Sequence, residues 1–119
     1  MIVIGDDCML SRDIDIRTSD AHPVFNVGSR NIINTTDKSV VIGPHTWVCE
    51  NVSIMKGVEI GACSIIALGA VVTKSSSFNC SVGGVPAKER AMNGNVWSRN
   101  TTKKSMSEAE FYYNKYLSV

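Results

Sequence analysis

A chain of 119 residues, 44% hydrophobic and 19% charged, is the size of one modest domain whose small core gains from self-association. The net charge of +1 gives no whole-chain reason to bind nucleic acid, and no run of eighteen apolar residues is present to span a membrane. The stretch from Met1 to Asp7 has no basic region and turns acidic at once, unlike a signal peptide, so a cytoplasmic location is expected.

In chain order, the first regular feature is a repeat of six. Ile4 to Met9, Leu10 to Asp15 and Ile16 to Ala21 each open on a large apolar residue. From Ile42 the sixes resume two residues out of phase, so an excursion is expected at about 23–40, between His22 and Val41. Seven blocks then run in register, opening on Ile42, Val48, Ile54, Ile60, Ile66, Val72 and Phe78. Their fifth positions are small or β-branched: Thr46, Val52, Val58, Ser64, Ala70, Ser76 and Val82. Spacing six holds no single helical face, and Val, Ile and Thr favour strands. The pattern predicts a parallel β-helix in which positions one and five fill the interior. Three sixes make a coil, so Ile42 is expected to stack on Ile60 and Phe78, and Val48 on Ile66, at a strand spacing of about 4.8 Å. Gly43 and Gly61 at second positions relieve crowding at the turns.

Beyond the repeat, Asn93 to Ser105 reads as a polar linker. Ser107-Glu108-Ala109-Glu110 matches a capping box and predicts a helix over 108–116, with Phe111, Tyr112 and Leu117 on its apolar face. The expected division is therefore 1–92 as the β-helix and 93–119 as linker and C-terminal helix. Only Met1 to Val3 precede the first block, so the coil is expected to lack an N-terminal cap.

The four cysteines, Cys8, Cys49, Cys63 and Cys80, form no C-x-x-C pair, and His22 and His45 lack matched spacing, so no metal requirement is expected. His45 occupies a corner of its hexad, where a surface role is favoured, and Trp97 receives no chemical role. The Asn-x-Ser/Thr matches at Asn34, Asn51, Asn79 and Asn100 read as chance. His22 falls in the phase of position one where the excursion leaves the coil; it is either a polar turn residue or a base aimed into a cleft.

The repeat together with Trp47, Val72-Thr73-Lys74 and Gly84-Val85-Pro86-Ala87-Lys88 resembles the hexapeptide-repeat acyltransferases over residues 4–91. Within them it is most similar to the galactoside, maltose, capsular and lipopolysaccharide sugar O-acetyltransferases. The resemblance implies a left-handed β-helix, a homotrimer with intersubunit active sites, and acetyl-CoA as co-substrate. It also implies a saccharide acceptor. In the segment Thr18-Ser19-Asp20-Ala21-His22-Pro23 it makes His22 the general base. Asp20 is the carboxylate expected to orient it, with Asp13 and Asp15 as alternatives. Carried over to matched positions, Trp47 lines the cleft or packs on a neighbouring subunit, and Glu50 and Leu68 border the pantetheine. Thr73 and Lys74 lie farther along, Gly69, Gly83 and Gly84 permit close backbone approach, and Lys88 reaches the phosphates. Ala91 departs from a position often cationic in such enzymes, with Arg90 as a substitute. Cys49 replaces a small glycine of its hexad. The residues from Val24 to Lys38 are placed to cover the acceptor. The segment that precedes the repeat in such enzymes is expected to be absent. An antibiotic O-acetyltransferase and a catalytically inactive assembly protein are the alternative readings.

Overall fold

The computed structural model describes residues 1–35 and 37–117. Residue 36 of the expected excursion and residues 118–119 of the expected C-terminal segment lie outside the described residues. Short strands follow one another around three sheets, each pairing with the strand one coil away. β1 (Ile2–Ile4), β4 (Val40–Ile42) and β7 (Glu59–Ile60) form sheet I. β2 (Met9–Leu10), β5 (Trp47–Val48), β8 (Ile65–Ile66), β10 (Cys80–Gly84) and β11 (Ala87–Ala91) form sheet II. β3 (Asp15–Ile16), β6 (Ser53–Ile54) and β9 (Val71–Val72) form sheet III. All pairings are parallel except β10 with β11, a terminal hairpin.

The interior is the one that the repeat specifies. Ile42, Val48, Ile54 and Ile66 are fully buried, as are the fifth-position residues Thr46, Val52, Ser64 and Ala70. Each fully buried Val or Ile contributes roughly 1.5–3 kcal/mol of burial, which is how strands of two or three residues persist. Second and fourth hexad positions solve different backbone problems. At the second, neighbouring coils approach so closely that a Cβ on Gly61 would lie 2.3 Å from the Ser77 carbonyl carbon. The fourth takes the left-handed conformation, at Asp7, Asp13, His45, Asn51, Gly57, Cys63 and Gly69.

The register corrects the last hexad. Ile42 pairs with Ile60, eighteen residues on, but Ile66 pairs with Val82, sixteen on, and Ile60 bridges to Ser76. The final coil is two residues short, so Ser76, not Phe78, stacks on Ile60, and Cys80 and Val82 take the inward places. Phe78 turns out of the prism against Tyr113, with ring centroids 5.3 Å apart. In the first coil the offset is larger: Ile4, Leu10 and Ile16 pair with Ile42, Val48 and Ile54. Antiparallel bridges join Ser19 to Asp37 and Phe25 to Ile32 in the intervening stretch.

The helix, α1 (Lys103–Tyr116), begins five residues earlier than the capping box implies. Its N-cap is Thr102, whose hydroxyl accepts the Ser105 N–H at 3.2 Å, so the end of the expected linker, Thr102 to Ser105, is capping or helical. Ala109 is its buried residue, whereas Phe111 and Leu117 are exposed.

Residues 93–99 return along the edge between sheets I and II, passing the stacked corners in reverse order. Asn79 Nδ2 donates to the Asn95 carbonyl at 2.9 Å. His45 Nε2 lies 2.9 Å from the Trp97 carbonyl, and Trp97 Nε1 donates back to the His45 carbonyl at 2.9 Å. Arg99 Nη1 donates to Asp7 Oδ1 at 2.7 Å. This strap buries both His45, 2% exposed, and Trp97, 6% exposed. The expected surface role of His45 is therefore wrong: the corner is covered by a segment that carries no hexad.

Candidate active site

His22 sits on the connection from β3 to β4, at the edge between sheets III and I, and is exposed. Ala21 before it is left-handed, with φ 67° and its N–H on Ser19 Oγ at 2.9 Å. Asp20 does not engage the His22 ring among the hydrogen bonds of the described residues. It accepts from Asn34 Nδ2 at 2.8 Å and pairs with Lys56 at 3.0 Å, and these two contacts hold its carboxyl below the usual range, Asn34 contributing most. Asp15 is engaged by Arg17, 3.0 Å away.

Two clefts meet at this edge. One, of about 500 Å³, is lined by Asp15, Arg17, Ser19, Asp20, Lys56 and Thr73. The other, of about 420 Å³, is lined by Thr73, Lys74, Ser75, Ser76, Lys88 and Glu89. Thr73 belongs to both. The hairpin β10–β11 folds Lys88 back opposite Gly83 and so brings it to the Lys74 side of the prism. Two cations and three hydroxyls suit phosphate groups. Glu89, the carboxylate there, accepts the Ser77 N–H at 2.8 Å, and that bond holds its carboxyl below the usual range.

The remaining expected residues lie elsewhere. Glu50, Leu68 and Gly69 occupy the edge between sheets II and III, where Gly69 N–H bonds the Glu50 carbonyl at 3.1 Å and Leu68 is 70% exposed. Glu50 also accepts from Arg12 Nε at 3.0 Å. Gly84, at φ 100°, ends β10 on that same side. Trp47 faces out of sheet II, half-buried and tilted against Trp97 at 6.2 Å. Sheet III thus stands between two groups of candidate residues. Asn34 and Lys56 entered the sequence reading only as a sequon match and as an unremarked lysine. No local signal marks either, because their partners lie fourteen and thirty-six residues away.

The cysteines offer no activated nucleophile: burial raises the Cys8, Cys49 and Cys80 thiols and pushes Cys63 up to about 11. Among the described residues no three His, Cys, Asp or Glu side chains are grouped to hold a metal ion, and no helix is long and apolar enough to cross a membrane.

No family model matches the chain. A polysialic acid O-acetyltransferase of Escherichia coli O1:K1 / APEC is 41% identical over 107 residues, which cover 90% of this chain and 34% of that protein. A solved structure of the polySia-specific acetyltransferase NeuO superposes with TM-score 0.84 at 39% identity, covering 96% of this chain and 53% of the other. A galactoside acetyltransferase solved in complex with coenzyme A gives TM-score 0.66 at 29% identity, over 77% of this chain and 46% of the other. The chain spans between a third and about half of the length of these relatives. By sequence and by fold, it belongs with the hexapeptide-repeat acetyltransferases, alongside those that modify polysialic acid and galactosides.

Proposed function

We propose that this chain carries out acetyl-CoA-dependent O-acetylation of a saccharide hydroxyl, with His22 as general base. The observation that carries the reading is the junction at Thr73, which joins the cleft at the foot of the His22 segment to the cleft of Lys74 and Lys88. A free hydroxyl is a poor nucleophile. An imidazole near neutral pH takes its proton as the oxygen attacks the thioester carbonyl, and returns that proton to the departing thiolate, leaving CoA and the acetyl ester. Lys74 and Lys88 hold the phosphates of the donor. Asp20 acts on His22 through the backbone instead of as a direct ring partner.

The same reading takes the chain as a homotrimer of left-handed coils, with residues 23–40 extruded towards a neighbour. Its support is the division of the site. Glu50, Leu68, Gly69 and Gly84 lie across sheet III from His22 within one chain, and a cleft between two copies reunites them. The exposed Val24, Phe25, Val27, Ile32 and Ile33 supply an apolar face for that contact. Residues 1–92 then form the catalytic β-helix and 93–119 its C-terminal appendage, working in the cytoplasm where acetyl-CoA is made.

His22→Ala decides the central point. Transfer of radiolabelled acetyl groups from acetyl-CoA to polysialic acid or to simple galactosides is expected to fall by two to four orders of magnitude, with coenzyme A affinity unchanged. Undiminished turnover would remove His22 from the mechanism. A wild-type chain that binds no coenzyme A would overturn the reading as a whole.

A further inference from the structure

A base on an exposed segment is useful only if its backbone is held, because a displacement of about 1 Å can cost two orders of magnitude in rate. The two residues flanking His22 are already constrained: Ala21 is left-handed, and Pro23 has a ring-locked φ and no N–H. One side-chain amide contacts both ends of this turn, whose Val24 carbonyl also accepts the Ile33 N–H at 2.8 Å. Asn34 Oδ1 accepts the Val24 N–H at 2.7 Å, while its Nδ2 donates to the His22 carbonyl at 3.2 Å and to Asp20 Oδ2 at 2.8 Å. The amide thus grips the chain on both sides of Pro23. Lys56, on the connection from β6 to β7, pairs with that same Asp20 oxygen at 3.0 Å and also donates to the Thr35 carbonyl. A single lysine of the coil therefore holds both the outgoing residue 20 and the returning residue 35.

We propose that Asn34 is a positioning residue for His22, its amide clamping the His22–Val24 turn and tying it through Asp20 and Lys56 to the β-helix. The inference rests on His22 being the base. It explains why Asp20 sits two residues from His22 yet bonds elsewhere: its carboxylate serves as the knot between Asn34 and Lys56. It also gives the Asn34 sequon position a role inside the fold.

The test is a double-mutant cycle on the full chain with acetyl-CoA and a saccharide acceptor. Asn34→Ala is expected to lower kcat about 10- to 100-fold, with KM for acetyl-CoA changed less than about threefold. Combined with His22→Ala, it should cost less than about a further twofold, since the clamp then has no base to place. Asn34→Asp keeps the size of the side chain and the acceptor for the Val24 N–H. It sets an oxygen against Asp20 and the His22 carbonyl, and should lose kcat like the alanine variant; it stands in if that variant fails to fold. Wild-type kcat in both Asn34 variants would overturn the inference while leaving His22 in place. So would a full independent penalty in the His22→Ala background, which marks a structural or acceptor-binding role. Full activity of His22→Ala alone would instead overturn the reading of the base.

Discussion

His45 shows how a residue acquires its role from a distant part of the chain. Both ring nitrogens face acceptors, the Asp7 carboxylate at 2.7 Å and the Trp97 carbonyl at 2.9 Å. Trp97 lies parallel to it at 4.1 Å and Tyr112 at 5.5 Å, while Arg99 closes the other oxygen of Asp7. His45→Ala removes a buried ring with a polar partner at each nitrogen and leaves the Trp97 carbonyl unmet. Because Asp7 keeps Arg99 and some solvent, the expected loss is about 2–4 kcal/mol, below that of a fully buried pair. Urea unfolding would measure it, and a change under about 1 kcal/mol would show that the cluster stabilises little. The sequence named His45 and Trp97 but could not pair them, since fifty-two positions separate them and neither sits in a motif with the other.

At the scale of the strand and turn, the hexad dictated most of what forms. From Ile42 to Val72 positions one and five went inside, as alternation across a two-residue strand requires, whereas Ile4 and Leu10 of the first coil stay exposed. The count failed in the last coil. The count of six makes Val82 a fifth position, and nothing in Thr73 to Ser77 announces that two residues are dropped. Cys80 and Ser76 are acceptable inside a prism, so the misregister was invisible to a rule based on size. The helix start was missed for a related reason: Thr102 and Ser107 both offer a hydroxyl cap, and the contacts of the strap choose between them. The glycines make a sharper forecast. Gly61→Ala drives a Cβ into the Ser77–Phe78 backbone, which no rotamer relieves, and should cost at least about 1–3 kcal/mol. Gly69→Ala meets nothing within 4 Å and pays for its φ of 72° alone, about 1–2 kcal/mol. Thermal midpoints should therefore order wild type above Gly69→Ala above Gly61→Ala; the reverse order would mean that the coils can spread at that corner.

For the whole molecule, the sequence names candidate residues without giving their place on the surface. Thr73, Lys74 and Lys88 do converge, and Asp20 adjoins them, but Trp47, Glu50, Leu68, Gly69 and Gly84 lie on another part of the surface of the same chain. Motif order along a solenoid gives height on the stack, not which edge a side chain occupies. If neighbouring copies complete the site, sedimentation should return three times the 12.9 kDa of the chain. Phe25→Glu, in the exposed apolar stretch, should lower both the mass and the turnover together; a fully active monomer would refute the shared cleft. The strap has a consequence of another kind. A β-helix is a one-dimensional stack in which each rung leans only on its neighbours, so it can fray from either end independently. Here Asn95, Trp97 and Arg99 lace the last rung, a middle one and the first with a single length of chain, so neither end can open without loosening the other, and unzipping gives way to all-or-none loss.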